Sequence, residues 1–364
     1  MAGKYNNGKP RRKRSVDPLY DMPGLFDHVE LDVAQSDDLF SNPSHDSESP
    51  TILKQHVSQA ADNQSLIIDP SKLNRPSSLR FISFGSGSSG NCAYIGFDEG
   101  EGRSTGVLID AGVEPDIVYQ GLRDNRIDIK NISGILLTHD HGDHVKYAYT
   151  IVRANRHMVL YTTMRTMVGI LRRHSVSRRI KDYHKIIYIE HPFVAATFTV
   201  TAFKTSHDGT ENVGFAIDSK DSEHKFVILT DSGIITPEAD RYLRSANYIV
   251  IESNYDKKML VSGRYPEYLK ARILSPRGHL DNTETSRYIK EIHSPSLSHV
   301  FLCHISKENN TPQLAYQTMI EALSDKNLRI GDPANPLMCA DTDIAIAVLP
   351  REGVTPQYIL RHRK

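Results

Sequence analysis

The chain is poor in cysteine, in net charge and in long apolar runs. Its three cysteines, Cys92, Cys303 and Cys339, lie far apart with no CxxC pair among them. That spacing argues against a disulfide framework and suits a reducing compartment, with the thiols serving as small buried hydrophobes. Basic and acidic residues number 44 each in 364, so the formal net charge is zero. No whole-chain polycation advertises nucleic-acid binding, although a balanced total still leaves room for local patches. No stretch approaches the roughly 20 apolar residues that a bilayer-spanning helix needs. A basic cluster at residues 11–14 has no apolar segment after it, so it does not form a secretory signal. The expected location is the cytoplasm.

The texture of the chain changes near residue 79. Residues 1–78 carry the basic cluster (Lys9, Arg11, Arg12, Lys13, Arg14) and then an acidic, Ser/Asp/Pro-rich stretch with Asp37, Asp38, Asp46 and Glu48. Their apolar residues are too scattered to bury much surface, so this part is expected to be a largely disordered N-terminal extension. Residues 79–364 form the expected folded domain. Apolar or alternating runs predict strands at 79–84, 92–97, 107–109, 132–138, 185–189, 198–203, 214–217, 226–230, 248–252 and 299–304. Helical periodicity predicts helices at 116–123, 163–173, 237–245, 282–292 and 311–324. Many strands in series without one-to-one βα alternation argue for sheets covered by helices. Polar, reactive residues recur just after strand ends, where loops gather at one edge of a scaffold.

The densest chemistry is Thr138-His139-Asp140-His141-Gly142-Asp143-His144, directly after an apolar strand. Imidazoles and carboxylates are ligands for zinc and similar first-row ions. In an extended turn His139 and His141 point the same way, and Asp143 and His144 can then face a second ion. Gly142 is expected to permit a tight backbone path between them. His279, in Arg277-Gly278-His279-Leu280-Asp281-Asn282, and His304, in Phe301-Leu302-Cys303-His304-Ile305-Ser306, compete to complete the second site.

The run resembles the HxHxDH signature of the metallo-beta-lactamase superfamily. Asp110 at the end of Leu108-Ile109-Asp110-Ala111-Gly112, His207 in Thr205-Ser206-His207-Asp208-Gly209 and Asp231 in Leu229-Thr230-Asp231-Ser232-Gly233 resemble its other motifs, in the same order. The resemblance implies an α/β (α+β) fold, a four-layer αββα sandwich with two divalent ions, zinc or manganese. By the same resemblance His139, His141 and His207 would hold the first ion, and Asp143, His144 and His304 the second. Asp231 would bridge them, and Asp110 would buttress the histidine loop. A GHST-like loop followed by a strand-end LTH-like motif, as in the superfamily's tRNA-processing nucleases, favours His304 as the ligand. His279 then becomes a proton donor to the leaving oxygen, and Asp143 an orienting group for a hydroxide held between the ions.

Five further strings resemble the YycJ-like (WalJ, VicX) subfamily. They are Phe84-Gly85-Ser86-Gly87-Ser88-Ser89-Gly90-Asn91, Ile251-Glu252-Ser253-Asn254-Tyr255-Asp256, Tyr265-Pro266, Leu269-Lys270-Ala271-Arg272-Ile273 and His304-Ile305-Ser306-Lys307-Glu308-Asn309-Asn310-Thr311-Pro312. This implies a DNA exonuclease working from 5′ ends, with DNA preferred over RNA. The alternative is a small-molecule hydrolase of lactones or thioesters, since the fold alone does not set the substrate. Two positions depart from the subfamily: Asp281 stands where serine is usual, and Tyr255 where histidine is usual. A carboxylate at 281 is expected to disturb phosphate contacts. Two basic runs agree with a phosphodiester substrate. One spans Lys257, Lys258, Arg264, Tyr265, Tyr268, Lys270, Arg272 and Arg277; the other comprises Arg172, Arg173, Arg178, Arg179 and Lys181.

Overall fold

A computed structural model describes residues 77–98, 104–221, 223–335 and 341–361. The expected N-terminal extension, apart from Ser77 and Ser78, lies outside these residues, as does Cys339. The strands are β1 (Ser78–Gly87), β2 (Gly90–Asp98), β3 (Ser104–Ile109), β4 (Ile132–Leu136), β5 (Val159–Thr162), β6 (His184–Ile186), β7 (Phe193–Ala195) and β8 (Phe198–Lys204). They continue as β9 (Val213–Asp218), β10 (Lys225–Leu229), β11 (Tyr248–Glu252), β12 (His299–Cys303), β13 (Ile330–Gly331), β14 (Ile344–Val348) and β15 (Tyr358–Leu360). They form a 7-stranded sheet, β15-β1-β2-β3-β4-β5-β6, and an 8-stranded sheet, β13-β14-β12-β11-β10-β9-β8-β7.

Strand periodicity explains the layering. Successive side chains leave a strand on opposite faces. On β1, Leu79 and Phe81 enter the core between the sheets, while Ile82 and Phe84 enter the core under the first sheet's helices. On β10, Phe226 and Ile228 face inward and Val227 and Leu229 outward. Phe81 meets Phe226 and Phe301 at ring-centroid distances of 5.3 and 4.9 Å, joining the sheets at their centre. Helices Pro115–Asp124, Ala148–Ala154 and Met164–Arg173 cover the first sheet. Pro237–Leu243, Asn282–Ile292 and Pro312–Leu323 cover the second. The result is the αββα sandwich that the sequence led us to expect.

Strand β3 pairs in parallel with β4, and β10 with β11 and β11 with β12. Within each sheet their carboxyl ends therefore share an edge, the position at which α/β sheets gather ligands, and contacts such as His144 Nε2 to Asp231 Oδ2 bring the two edges together. The differences from the expected elements are local. The 132–138 strand stops at Leu136 and the 299–304 strand at Cys303, freeing Thr138 and His304 to turn. Short β5, β7, β13, β14 and β15 were not foreseen. Strand β15 joins β1 through Leu79↔Leu360, a pairing that no local pattern announces.

Candidate metal centre

Asp110 follows β3 and His304 follows β12, and both residues adopt left-handed backbones, with φ of 59° and 54°. Non-glycine residues rarely do so, and such strain is held in place by its surroundings. Here Asp110 meets Thr138 and the Nδ1 side of His144, while His304 meets Glu252 and Asp231. His304 is further fixed by its own N–H, which donates to Ser86 Oγ at 3.0 Å. After β4 the chain is extended through His141 (φ −74°, ψ 150°) and then winds into the short helix Gly142–Val145. His139 and His141 thus share an extended turn, and Asp143 and His144 sit in the helix. Gly142 has no left-handed φ, and a Cβ there would make only ordinary contact with His174 at 3.6 Å. The expectation of a tight path at Gly142 is therefore corrected. The close approach falls at Gly112 instead, where a Cβ would lie 1.6 Å from Asp143 O.

Two groups of donors emerge. The ligand atoms of His139, His141 and His207 lie within 4.8 Å of one another, and so do those of Asp143, His144 and His304. Asp231, after β10, joins the two: its Oδ2 is 3.2 Å from His144 Nε2 and its Oδ1 3.8 Å from His207 Nε2. The hydrogen bonds behind the rings settle which nitrogen faces inward. His144 Nδ1 contacts Asp110 Oδ2 at 2.7 Å, His304 Nδ1 contacts Glu252 Oε1 at 2.8 Å, and His207 Nδ1 contacts Gly278 O at 2.9 Å. Each of these leaves Nε2 for the interior. His139 Nε2, His304 Nε2, Asp143 Oδ1 and Asp231 Oδ2 are buried without a hydrogen-bond partner. Buried polar atoms are almost always satisfied. Orphans that converge on one space fit the missing partner of a divalent ion, and their imidazole and carboxylate chemistry fits as well.

Electrostatics divides the groups. Burial, then the neighbouring imidazoles, lowers His139 well below the ordinary histidine value. Burial and His207 lower His141 to about 4, and burial also lowers His207. In the other group burial works the same way but is outweighed. Asp110 and Asp143 raise His144 well above its usual value, and Asp231, with contacts to Asp143 and Glu252, pushes His304 up to about 10. Despite burial, Asp143 is held below the usual carboxylate range by His144, and Asp231 by His304 and His144.

His279, the rival of His304, also reaches Glu252 Oε1, with its Nδ1 at 2.7 Å. It groups with Asp231, Glu252 and His304, and not with Asp143 and His144. Its side chain is 13% exposed, as is that of His141, against 3% for His304, so His279 and His141 both reach the mouth of the site.

Three supporting residues escaped the sequence reading as site groups. Glu252, at the end of β11 and fully buried, receives both His279 and His304 and also accepts from Ser232 N and Leu280 N. Asp208 Oδ1 lies 3.3 Å from His141 Nε2, and its Oδ2 accepts from Arg272 Nε at 2.5 Å. Despite burial, Arg272 holds Asp208 below the usual carboxylate range. Asn91, from the glycine-serine turn, donates to Asp143 Oδ2 at 3.2 Å. Each lies inside a quoted string, but only three-dimensional proximity reveals its task.

The departures from the subfamily pattern acquire physical reasons. Asp281 caps helix Asn282–Ile292, its Oδ1 accepting from Thr283 N and Glu284 N at 2.8 and 2.9 Å. Tyr255 packs with Leu260, Leu269 and Ile273 in a small core of its own. The basic runs are partly committed to structure: Arg173 pairs with buried Asp140 at 3.2 Å, and Arg179 faces Asp182 at 3.6 Å. Tyr268, by contrast, is 70% exposed.

Comparison with known proteins agrees with this picture. Residues 105–305 match the family described as the beta-lactamase superfamily domain. An exodeoxyribonuclease YycJ of Bacillus anthracis is 30% identical over 254 residues, 70% of this chain and 92% of that protein. An exodeoxyribonuclease WalJ of Streptococcus pneumoniae is 27% identical over 253 residues, 70% of this chain and 91% of that protein. In three dimensions the metallo-beta-lactamase fold protein YhfI of Bacillus subtilis superposes with a TM-score of 0.52 at 14% identity, covering 77% of this chain and 99% of that one. Zinc-bound PqqB of Methylobacterium extorquens gives 0.51 at 15%, covering 76% and 99%. These structures share the fold. The strand-end donors, the sandwich that carries them and the YycJ and WalJ likeness over nearly the full length of those relatives meet in one conclusion: the chain belongs to the beta-lactamase superfamily, alongside YycJ and WalJ.

Proposed function

We propose that the chain is a metal-dependent DNA exonuclease that works from 5′ ends, with two divalent ions, zinc or manganese, as cofactors. The observation that carries the reading is the convergence of partnerless buried donors from several strand-end loops on one space. The choice of DNA rests on the relatives named exodeoxyribonucleases. His139, His141 and His207 would hold one ion, Asp143, His144 and His304 the other, with Asp231 between them. When bound, the ions supply Lewis acidity and make water ionise near neutral pH. The protein's own groups do the rest. Asp143 Oδ1, buried and unpartnered, accepts a hydrogen from the attacking water and aims it at phosphorus. His279, oriented through Nδ1 by Glu252, presents Nε2 to protonate the departing sugar oxygen. Glu252 couples that donor to His304, so the leaving-group side and one metal position share a carboxylate. Exposed Tyr268 offers a face on which an unpaired base can stack.

The test uses single- and double-stranded DNA and RNA, labelled separately at each end, with manganese or zinc and Asp231→Ala as control. Stepwise shortening of DNA from the 5′ end, lost in the variant, is the expected result. Shortening from the 3′ end would overturn the polarity, and preference for RNA the substrate. No cleavage by metal-loaded protein, with turnover of lactones or thioesters instead, would overturn the nuclease reading.

A further inference from the structure

Beside the histidine group lies a cleft of about 330 Å³, within the range of small-molecule sites. One wall is His207 itself, and the rest includes Arg165, Lys204, Arg277, Ser206, Thr210 and Glu211. Two of its hydroxyl hydrogens are already committed: Ser206 Oγ donates to Pro276 O at 2.8 Å, and Thr210 Oγ1 to Asp140 Oδ2 at 2.5 Å. Asn212 Nδ2 donates to His207 O, so apart from Thr205 and His207 the side-chain donors left to recognise a ligand in the cleft are its cations. Arg165 lies in the first turn of helix Met164–Arg173 with its side chain 75% exposed, and its ion pair with Glu211 is a loose 3.8 Å. Lys204 ends β8 and is exposed. Arg277 uses Nε on His207 O at 3.3 Å, which leaves its terminal amino groups unspent by that bond. Three cations face one carboxylate in a space that opens against a proposed metal ligand. Among the described residues no buried carboxylate accounts for Arg165, which contrasts with Arg173 on the same helix, paired to Asp140.

We propose that this cleft is a second phosphate site. It takes the phosphate next to the scissile linkage, either a strand-terminal monoester or the neighbouring internal diester, and so sets where on the strand the enzyme cuts. The inference rests on the nuclease reading. Arginine forks match phosphate oxygens in pairs, and a lysine adds a point charge. A doubly charged terminal phosphate would gain most from such a cleft, and an internal diester less.

The experiment compares oligodeoxynucleotides that carry a phosphate or a hydroxyl at either end, and others with a neutral methylphosphonate at the first internal linkage. Wild-type full-length protein and the double variant Arg165→Ala/Lys204→Ala are assayed with manganese. In the wild type, removing the phosphate that the cleft takes should lower kcat/KM about 10- to 100-fold, the range for hydrogen bonds to a charged group. In the double variant the ratio between the two substrates should collapse towards one, and Arg165→Lys/Lys204→Arg should restore much of it. Sensitivity to the end group identifies a terminal monoester; sensitivity to the methylphosphonate alone identifies an internal diester. A ratio unchanged in the alanine variant, or a wild type indifferent to every substitution, overturns the second site. Hydrolysis of bis(4-nitrophenyl) phosphate by the wild type, a diester with no neighbouring phosphate, separates that outcome from failure of the phosphodiesterase reading. If the wild type cleaves neither this compound nor any oligonucleotide, both proposals fall together.

Discussion

The two halves of the candidate centre use the same residue type in opposite electrostatic states. In the histidine half, His139, His141 and His207 are all lowered, and the fixed partner behind His207 is a neutral carbonyl, Gly278 O. In the carboxylate half, His144 and His304 are both raised, each with a buried carboxylate behind Nδ1, Asp110 for one and Glu252 for the other. Burial lowers the histidines of both halves, but in the carboxylate half the surrounding carboxylates outweigh it: Asp110 and Asp143 at His144, and Asp231 with Asp143 and Glu252 at His304. One half therefore waits as neutral ligands, while the other holds protons that a cation must replace.

The largest test of this division removes the group common to both halves. Asp231→Ala should empty both positions and lower turnover by several orders of magnitude. His141→Ala should remove one ion and leave the carboxylate half able to bind. Elemental analysis of each variant, read beside its cleavage rate, checks this; retention of both ions by Asp231→Ala would break the bridging assignment.

His279→Ala should keep the metal content of the wild type while activity falls about 10²- to 10⁴-fold, the usual worth of a general acid. Loss of one ion would instead make His279 a ligand and reverse its assignment with His304. The carboxylates that touch the rings come next in size. Glu252→Gln should weaken ion binding in the carboxylate half, and Asp208→Asn, whose Oδ1 lies 3.3 Å from His141 Nε2 and 3.4 Å from His207 Nε2, in the histidine half, each by about 10- to 100-fold. Competition with a chromogenic chelator measures both. Equal weakening of both ions by either variant would show that the halves are not separate.

The pH dependence follows from the same signs. A histidine with a raised value keeps its proton at neutral pH, and an incoming cation must release it. Binding in the carboxylate half should therefore tighten as pH rises from 7 to 9, roughly tenfold per unit for each proton displaced. With His141 lowered to about 4, the histidine half should stay level over that range and weaken only in acid. Calorimetry in buffers of different ionisation enthalpy, on His207→Ala and His304→Ala to isolate each half, counts the protons. Identical slopes would erase the contrast.

How much of this was legible in the sequence depends on how local each cause is. The His139–His144 region stands out because its donors sit within one loop, whereas Asp110, His207, Asp231 and His304 are singled out only through the family resemblance, each a few residues or fewer after a strand. The faces of β1 and β10 follow from alternation. Glu252 reads only as the end of a strand, since its partners are 27 and 52 residues away. Asp208 is similar, with Arg272 64 residues distant. Strand β15 has three residues whose significance lies wholly in pairing with β1. Charge runs were the least readable: Arg165 and Lys204 belong to neither run, yet they line the cleft beside His207.

Asp281 gives the smallest and most discriminating effect. As a carboxylate near the His279 loop it was expected to disturb phosphate contacts, but its Oδ1 is committed to two backbone N–H groups at the start of a helix. Serine and aspartate cap about equally well, so Asp281→Ser should change stability by no more than about 0.5 kcal/mol, while Asp281→Ala should cost about 0.5–2 kcal/mol. Thermal melts compare the two. With the carboxylate bound to the helix end, its charge is partly offset by the N-terminal dipole. KM for an oligonucleotide should then stay within about twofold in Asp281→Ser, because surface charges are screened over about 8 Å at physiological salt. A several-fold fall in KM that grows at low salt would mean that the carboxylate does repel the strand, extending the substrate path from the histidine half across the mouth of the carboxylate half.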